Sequence, residues 1–260
     1  MNWFLNPPQG FYIGSLHITY YGILVAAGML FGLLISAKLA KKRGFKEDDI
    51  WMLALFVFPL AILGARIYYC LFSGYQYSFA EFWRIWDGGI AVYGAIIGGA
   101  VGVILYCVIF KKNFWALADV VVIGVALGQA IGRIGCYFGH CCYGKEVLYD
   151  GLKIFPISIL HDGEWHYATF FYESLWNLIG MFILLRMINH EKQNGTNLAI
   201  YLIWYGLGRG LIEGIRGDSL FIGNSNIRVS QLISIVIGLI GLGLLVYNLV
   251  KKRKNNGKEI

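Results

Sequence analysis

The chain has 260 residues, of which 58% are hydrophobic and only 14% charged, with a formal net charge of +7, and its mean hydropathy is +0.61. A soluble domain of this length needs more charged surface, so the chain belongs in lipid. The positive surplus does not indicate nucleic acid: it sits in short runs, such as Lys41-Lys42-Arg43 and Lys251-Lys252-Arg253-Lys254, that flank apolar segments and read as topology signals.

In chain order, the opening MNWFLNPPQGFYIG lacks the basic start and early apolar core of a cleavable leader, so the first apolar segment is expected to stay. Stretches of spanning length, about 20 residues, run from Tyr20 to Leu39, Ile50 to Leu71, Ile90 to Phe110 and Phe114 to Phe138. Three more run from Phe170 to Ile188, Leu198 to about Gly217, and Gln231 to Val250. They predict an all-α, polytopic bundle of about seven transmembrane helices, in a single integral membrane domain over residues 1–260. A barrel is excluded because no ten-residue alternating strands occur, and lipid leaves no other way to satisfy every backbone amide. The 34 glycines suit close helix packing.

Alternate loops differ in basic content. Lys41, Lys42, Arg43, Lys46, Lys111, Lys112, Arg186, Lys192, Lys251, Lys252, Arg253, Lys254 and Lys258 fall on one side, against Arg84, Lys145, Lys153 and Arg228 on the other. The first side is read as cytoplasmic, with the N-terminus outside and the C-terminal tail inside near anionic headgroups. The long loops, Phe72 to Gly89 and Gly139 to Thr169, then lie outside, where function is expected.

Five basic residues remain within or near the spans: Lys38, Arg66, Arg133, Arg209 and Arg216. Lys38 lies a turn from a helix end and can snorkel to headgroups; Arg66 and Arg133 lie near the opposite helix ends and have the same option. Arg209 is mid-segment. In YGLGRGLIEGIRGD, Arg209 and Glu213 are four apart and Glu213 and Arg216 three apart, so one carboxylate can bridge two guanidiniums on a helical face. Positive charge is left over, which Asp119 or Glu173 would reduce if they reach it. Two readings stand: an ion-pair network that fixes helix register, and a phosphate site, to which arginine's planar fork is suited.

The stretch GQAIGRIGCYFGHCCYG, followed in order by TFFYES, WYGLGRGLIEGIRGDSL and NIRVSQLIS, resembles the bacterial phosphatidylglycerol:prolipoprotein diacylglyceryl transferases. The likeness continues upstream through TYYG at Thr19 to Gly22, GARIYY at Gly64 to Tyr69, WDGGIAVYGAIIGG at Trp86 to Gly99 and FWALAD at Phe114 to Asp119. The resemblance implies an enzyme at the outer leaflet of the bacterial inner membrane. That family moves the diacylglyceryl group of phosphatidylglycerol onto the lipobox cysteine of a prolipoprotein, forming a thioether and releasing glycerol 1-phosphate. Phosphatidylglycerol, prolipoprotein signal peptides and membrane lipids are the implied partners, with no nucleic acid and no cofactor. By motif match Arg133 is the phosphatidylglycerol-binding arginine and Arg209 a second essential one, while Glu213 and Arg216 match an E-x-x-R pair. Tyr21 matches a first-helix tyrosine, and Gly144 ends the signature loop, with the substrate-binding residues.

The chain departs from the family pattern at two places. Tyr93 stands where the family has a histidine that is the usual candidate for the base. A phenol ionises near pH ~10, so either Tyr93 orients the headgroup by hydrogen bonding or deprotonation is done elsewhere. Cys136, Gly139 and Cys141 replace two asparagines and a glutamate of the signature. The resulting Cys136-x3-His140-Cys141-Cys142 reads first as small thiols filling space. A disulfide is a second reading. A metal or redox constellation is a third; against it, zinc ligands favour spaced cysteine pairs and adjacent Cys141 and Cys142 do not easily point at one ion. Cys70 and Cys107 lie within apolar segments, so no disulfide framework emerges. His161 and His166 read as solvated loop residues, and His17 as unremarkable in role. The rival functions are a same-fold transferase with another acceptor and an anion transporter; the latter lacks the expected repeats or paired broken helices.

Overall fold

The computed structural model describes residues 7–73, 79–84, 88–191, 193–217 and 228–256. Trp86, Lys192, Asp218 to Leu220, Asn226, Ile227 and Lys258, named above, lie outside them. The chain begins with an antiparallel hairpin of β1 (Gly10–Ile13) and β2 (Leu16–Thr19). It continues through α1 (Tyr20–Ala40), α2 (Glu47–Phe72), the one-turn α3 (Phe79–Phe82), α4 (Val92–Ile109) and α5 (Phe114–Phe138). A second hairpin, β3 (Ser158–His161) with β4 (Glu164–Tyr167), precedes α6 (Thr169–His190), α7 (Thr196–Glu213) and α8 (Val229–Asn256).

The seven long helices fall on the seven apolar stretches. Six of them, α1, α2, α4, α5, α6 and α8, are long and apolar enough to cross a membrane. The exception, α7, has 18 residues, about 27 Å of helix, and carries Asn197, Arg209 and Glu213 in place of apolar side chains. The hairpins are additions to the all-helical expectation. Their strands are four residues long, too short to show an alternating pattern, and they lie outside the apolar stretches.

The chain divides into two compact units, Met1–Ser36 with Ala118–Ile260, and Ala37–Leu117. In the second unit α2 packs on α4 through glycine. A Cβ at Gly98 would lie 2.1 Å from the Leu60 carbonyl oxygen and one at Gly94 2.2 Å from that of Gly64, so the backbones touch where side chains would separate them. Arg66 on α2 does not snorkel. Its guanidinium is buried and donates to the carbonyls of Glu81 (2.6 Å), Phe82 (2.9 Å), Gly88 (2.8 Å) and Gly89 (2.8 Å). These carbonyls belong to the connection between α2 and α4, so the N–H groups of one guanidinium tie two stretches of that loop to α2. Arg66→Ala is expected to cost about 3 kcal/mol and to speed limited proteolysis near residues 81–89 in detergent-purified protein.

In the first unit α1 meets α5 where Gly28 faces Gly128 and Gly32 faces Gly124. Helices α6 and α7 meet through Trp176 and Trp204, stacked at 4.3 Å, each indole N–H donating to the other's backbone carbonyl. Asp119, fully buried, was a candidate partner for the arginines. Instead its carboxylate accepts from the Gly195 N–H at 2.9 Å and the Leu198 N–H at 3.0 Å, capping the start of α7. This anchors the helix that presents Arg209.

Candidate functional site

The last turns of α5, the second turn of α6 and the end of α7 bring five charged groups together within the first unit. Glu173 is at their centre. Its Oε2 lies 2.5 Å from Arg133 Nε, and its Oε1 accepts from Arg209 Nη1 at 2.9 Å and Arg216 Nη1 at 3.0 Å. Glu213 Oε2 lies 3.1 Å from Arg209 Nη2 and 3.8 Å from Arg216 Nε, an ion pairing without an aligned hydrogen bond at that oxygen. Among the described residues these three guanidiniums against two carboxylates leave one unit of positive charge, and the Arg228 guanidinium donates to the Glu213 backbone carbonyl beside them.

Glu213 lies within ion-pair distance of both Arg209 and Arg216, as expected. The Arg209–Glu213 pair is present, but Arg216 is bound more closely by Glu173. The reason is local: α7 ends at Glu213, the chain continues in a tighter turn, and Arg216 leaves the helical face on which i, i+3 pairs meet. Arg216 then bridges to Gly144, with the Lys145 N–H donating to the Ile215 carbonyl at 2.8 Å. Gly144 is glycine because a Cβ there would lie 2.6 Å from Tyr167 Cβ and 2.9 Å from the Ile215 oxygen. It therefore ties the signature loop to the end of α7.

Exposure separates the arginines. The Arg133 side chain is 28% exposed and that of Arg209 19%, whereas Arg216 is 7% exposed. Arg133, Glu173 and Arg209 line a cavity with about 370 Å³ of empty space, counting what is open to the outside, together with Trp176, Tyr205 and Ile212. Arg133, near a helix end, had the option of snorkelling; it turns inward to this cavity instead.

The three signature cysteines adjoin the same arginine. Their Sγ atoms all lie within 4.8 Å of one another, and Arg133 Nη1 is 3.5 Å from the Cys142 sulfur. Adjacent Cys141 and Cys142 thus approach one point, against expectation. The cause is a left-handed turn, with His140 at φ 50° and Cys142 at φ 61°, which undoes the usual divergence of neighbouring side chains. Hydrogen bonds from the Cys136 and Cys141 thiols, then the Arg133 and Arg216 charges, hold the Cys142 thiol below its ordinary value against burial. The Cys141 thiol is pushed up to about 11; its bond with Cys136 lowers it, but that with Cys142 and burial raise it more. Tyr21 is 43% exposed and its ring borders Gly135 and Gly139 on the approach to these thiols.

His161 and His166, read as solvated loop residues, are partly exposed and pack around Tyr143, with ring centroids 4.4 and 6.5 Å from it. His140 is tied to the Pro7 carbonyl at 2.9 Å. Tyr93 is in the first turns of α4 in the second unit, 41% exposed, its ring 6.2 Å from that of Tyr68. The residue whose centrality sequence reasoning missed is Glu173. Its signal was a lone carboxylate early in an otherwise apolar helix.

Residues 8–247 match the model of the prolipoprotein diacylglyceryl transferase family. The chain belongs to that family. It is 37% identical to a Listeria innocua protein named phosphatidylglycerol–prolipoprotein diacylglyceryl transferase, over 94% of this chain and 90% of that protein. It is 38% identical to the same-named protein of Bacillus velezensis, over 94% and 93% of the two chains. The Clostridium botulinum relative of that name is 37% identical over 95% and 98%. The stretches that carry the resemblance lie on these elements: GQAIGRIGCYFGHCCYG, with its three cysteines, on α5 and the loop after it, and Glu213 at the end of α7 with Arg216 in the turn that follows.

Proposed function

We propose that this transferase moves the diacylglyceryl group of phosphatidylglycerol onto the lipobox cysteine thiol of prolipoproteins and releases glycerol 1-phosphate. The observation that carries the reading is the cavity wall where Arg133 and Arg209 share Glu173 and one unit of positive charge is left over. A phosphodiester monoanion completes that charge. When a thiolate attacks the glycerol carbon, the C–O bond to phosphate breaks and its electron pair stays on the phosphate oxygen. The phosphate becomes a monoester dianion, and the guanidiniums already in place meet the added charge without reorganising. Arg216, buried, positions Glu173 and the signature loop. The N-terminus outside, the basic loops in the cytoplasm and the cavity toward the outer leaflet of the bacterial inner membrane are part of the proposal, as are signal-peptide helices entering from the bilayer.

The test supplies purified protein with phosphatidylglycerol vesicles and a lipobox peptide. Thioether-linked diacylglyceryl peptide with equimolar glycerol 1-phosphate is expected, and lipoprotein processing should return in a strain depleted of its own transferase. Glycerol 1-phosphate without peptide product would point to another acceptor. Tyr93 stands where the family pattern has a histidine, and its hydroxyl is assigned a supporting part in the transfer. Tyr93→Phe should then lower turnover about tenfold, the size of one hydrogen bond. Loss of a general base would cost ~10²–10⁴, and a drop of that size would move Tyr93 to proton transfer.

A further inference from the structure

Cys136, Cys141 and Cys142 place three sulfurs within 4.8 Å of one another at the end of α5, beside an arginine that lines the cavity. Space filling does not call for three thiols converging on one point through a left-handed turn. We propose that the three, as thiolates, hold a zinc ion, and that its fourth position takes the sulfur of the acceptor cysteine. The second half rests on the transfer reaction proposed above.

The donor set chooses the ion. Three sulfurs select a soft metal, zinc or copper(I), over magnesium or calcium. Charge favours zinc: three thiolates and Zn²⁺ sum to one negative charge, with the Arg133 guanidinium 3.5 Å from Cys142, whereas copper(I) would leave two. Tetrahedral zinc with Zn–S of about 2.3 Å puts sulfurs ~3.8 Å apart, so side-chain rotations of about 1 Å close the triangle. Among the described residues no other histidine, cysteine or carboxylate joins this group. Structural zinc sites have four protein ligands; three leave one position for substrate.

That open position supplies what Tyr93 does not. An acceptor thiol that coordinates zinc gives its proton to water and remains a nucleophile at neutral pH. Its sulfur forms the S–C bond as the C–O bond to phosphate breaks, the electron pair staying on phosphate beside Arg133 and Arg209. The neutral thioether is a poor zinc ligand and leaves, and the ion stays with its three cysteines. Thiolate plus phosphodiester monoanion give thioether plus monoester dianion, so charge balances.

The experiment uses full-length protein purified in detergent without chelator. Elemental analysis is expected to find about one zinc per chain, falling several-fold in Cys142→Ser and in Cys136→Ser. Cobalt(II)-loaded wild-type protein should show a thiolate-to-metal charge-transfer band that changes on adding a lipobox peptide but not its cysteine-to-serine analogue. Wild-type protein with neither zinc nor a cobalt band overturns the site, and so does mass spectrometry showing a disulfide among the three cysteines. A cobalt band indifferent to the peptide overturns the activating role. Thioether formation by metal-free protein also rejects that role while upholding the transfer. A peptide-responsive metal site without thioether product rejects the transfer and leaves the site standing.

Discussion

Arg133→Ala is expected to abolish transfer while the protein still accumulates in the membrane. Arg133 is the most exposed of the three clustered arginines and lines the cavity. Without it, two guanidiniums face two carboxylates, and the unit of positive charge that a phosphodiester would complete is gone. The fold survives because Glu173 keeps Arg209 at 2.9 Å and Arg216 at 3.0 Å. Removing one charge-stabilising donor typically lowers kcat by roughly 10²–10³; here the donor also binds the ground-state phosphate, so the loss in kcat/KM is larger. Arg133→Lys restores the charge but not the planar fork that reaches Glu173 and a phosphate oxygen together, and should recover only part of the activity. Measurement pairs turnover on phosphatidylglycerol vesicles with the amount of monodisperse protein extracted from membranes. Undiminished turnover in Arg133→Ala would remove Arg133 from the phosphate site.

The spans were legible because lipid imposes a simple rule: about twenty apolar residues per helix. The end of α7 was not. Nothing in EGIRGD distinguishes another helical turn from the tight turn that sends Arg216 to Glu173, because the choice is made by pairing with Gly144, some 70 residues earlier in the chain. The same holds for Asp119 and Glu173. Both are lone carboxylates in apolar helices, yet one caps α7 and the other collects three arginines, and only tertiary placement tells them apart. Arg66 looked like a membrane-facing charge because its partners are backbone carbonyls, which no sequence pattern displays. The cysteines were legible as a cluster but not as a convergence, since that depends on the positive φ of His140 and Cys142, residues with no glycine-like signal.

Glu173→Ala should have the opposite signature to Arg133→Ala: loss of the folded protein before any question of chemistry. Glu173 is buried, and its two oxygens meet Arg133 from α5 and Arg209 and Arg216 from the end of α7 and the turn after it. Its removal leaves three guanidiniums in a poorly hydrated interior with Glu213 as the one remaining carboxylate of the cluster. Stripping one partner from a buried ion pair costs about 3–5 kcal/mol because the other charge stays uncompensated, a large share of the ~5–15 kcal/mol that holds a domain together. Glu173→Gln keeps the shape and two acceptor electron pairs but not the charge, so it should be milder yet still destabilised. The decisive contrast is anion dependence. In Glu173→Gln, added inorganic phosphate should raise the melting temperature more than in the parent, because the arginines then offer two surplus charges instead of one. Equal shifts in the two proteins would mean that the cluster does not hold phosphate and that Glu173 serves helix register alone.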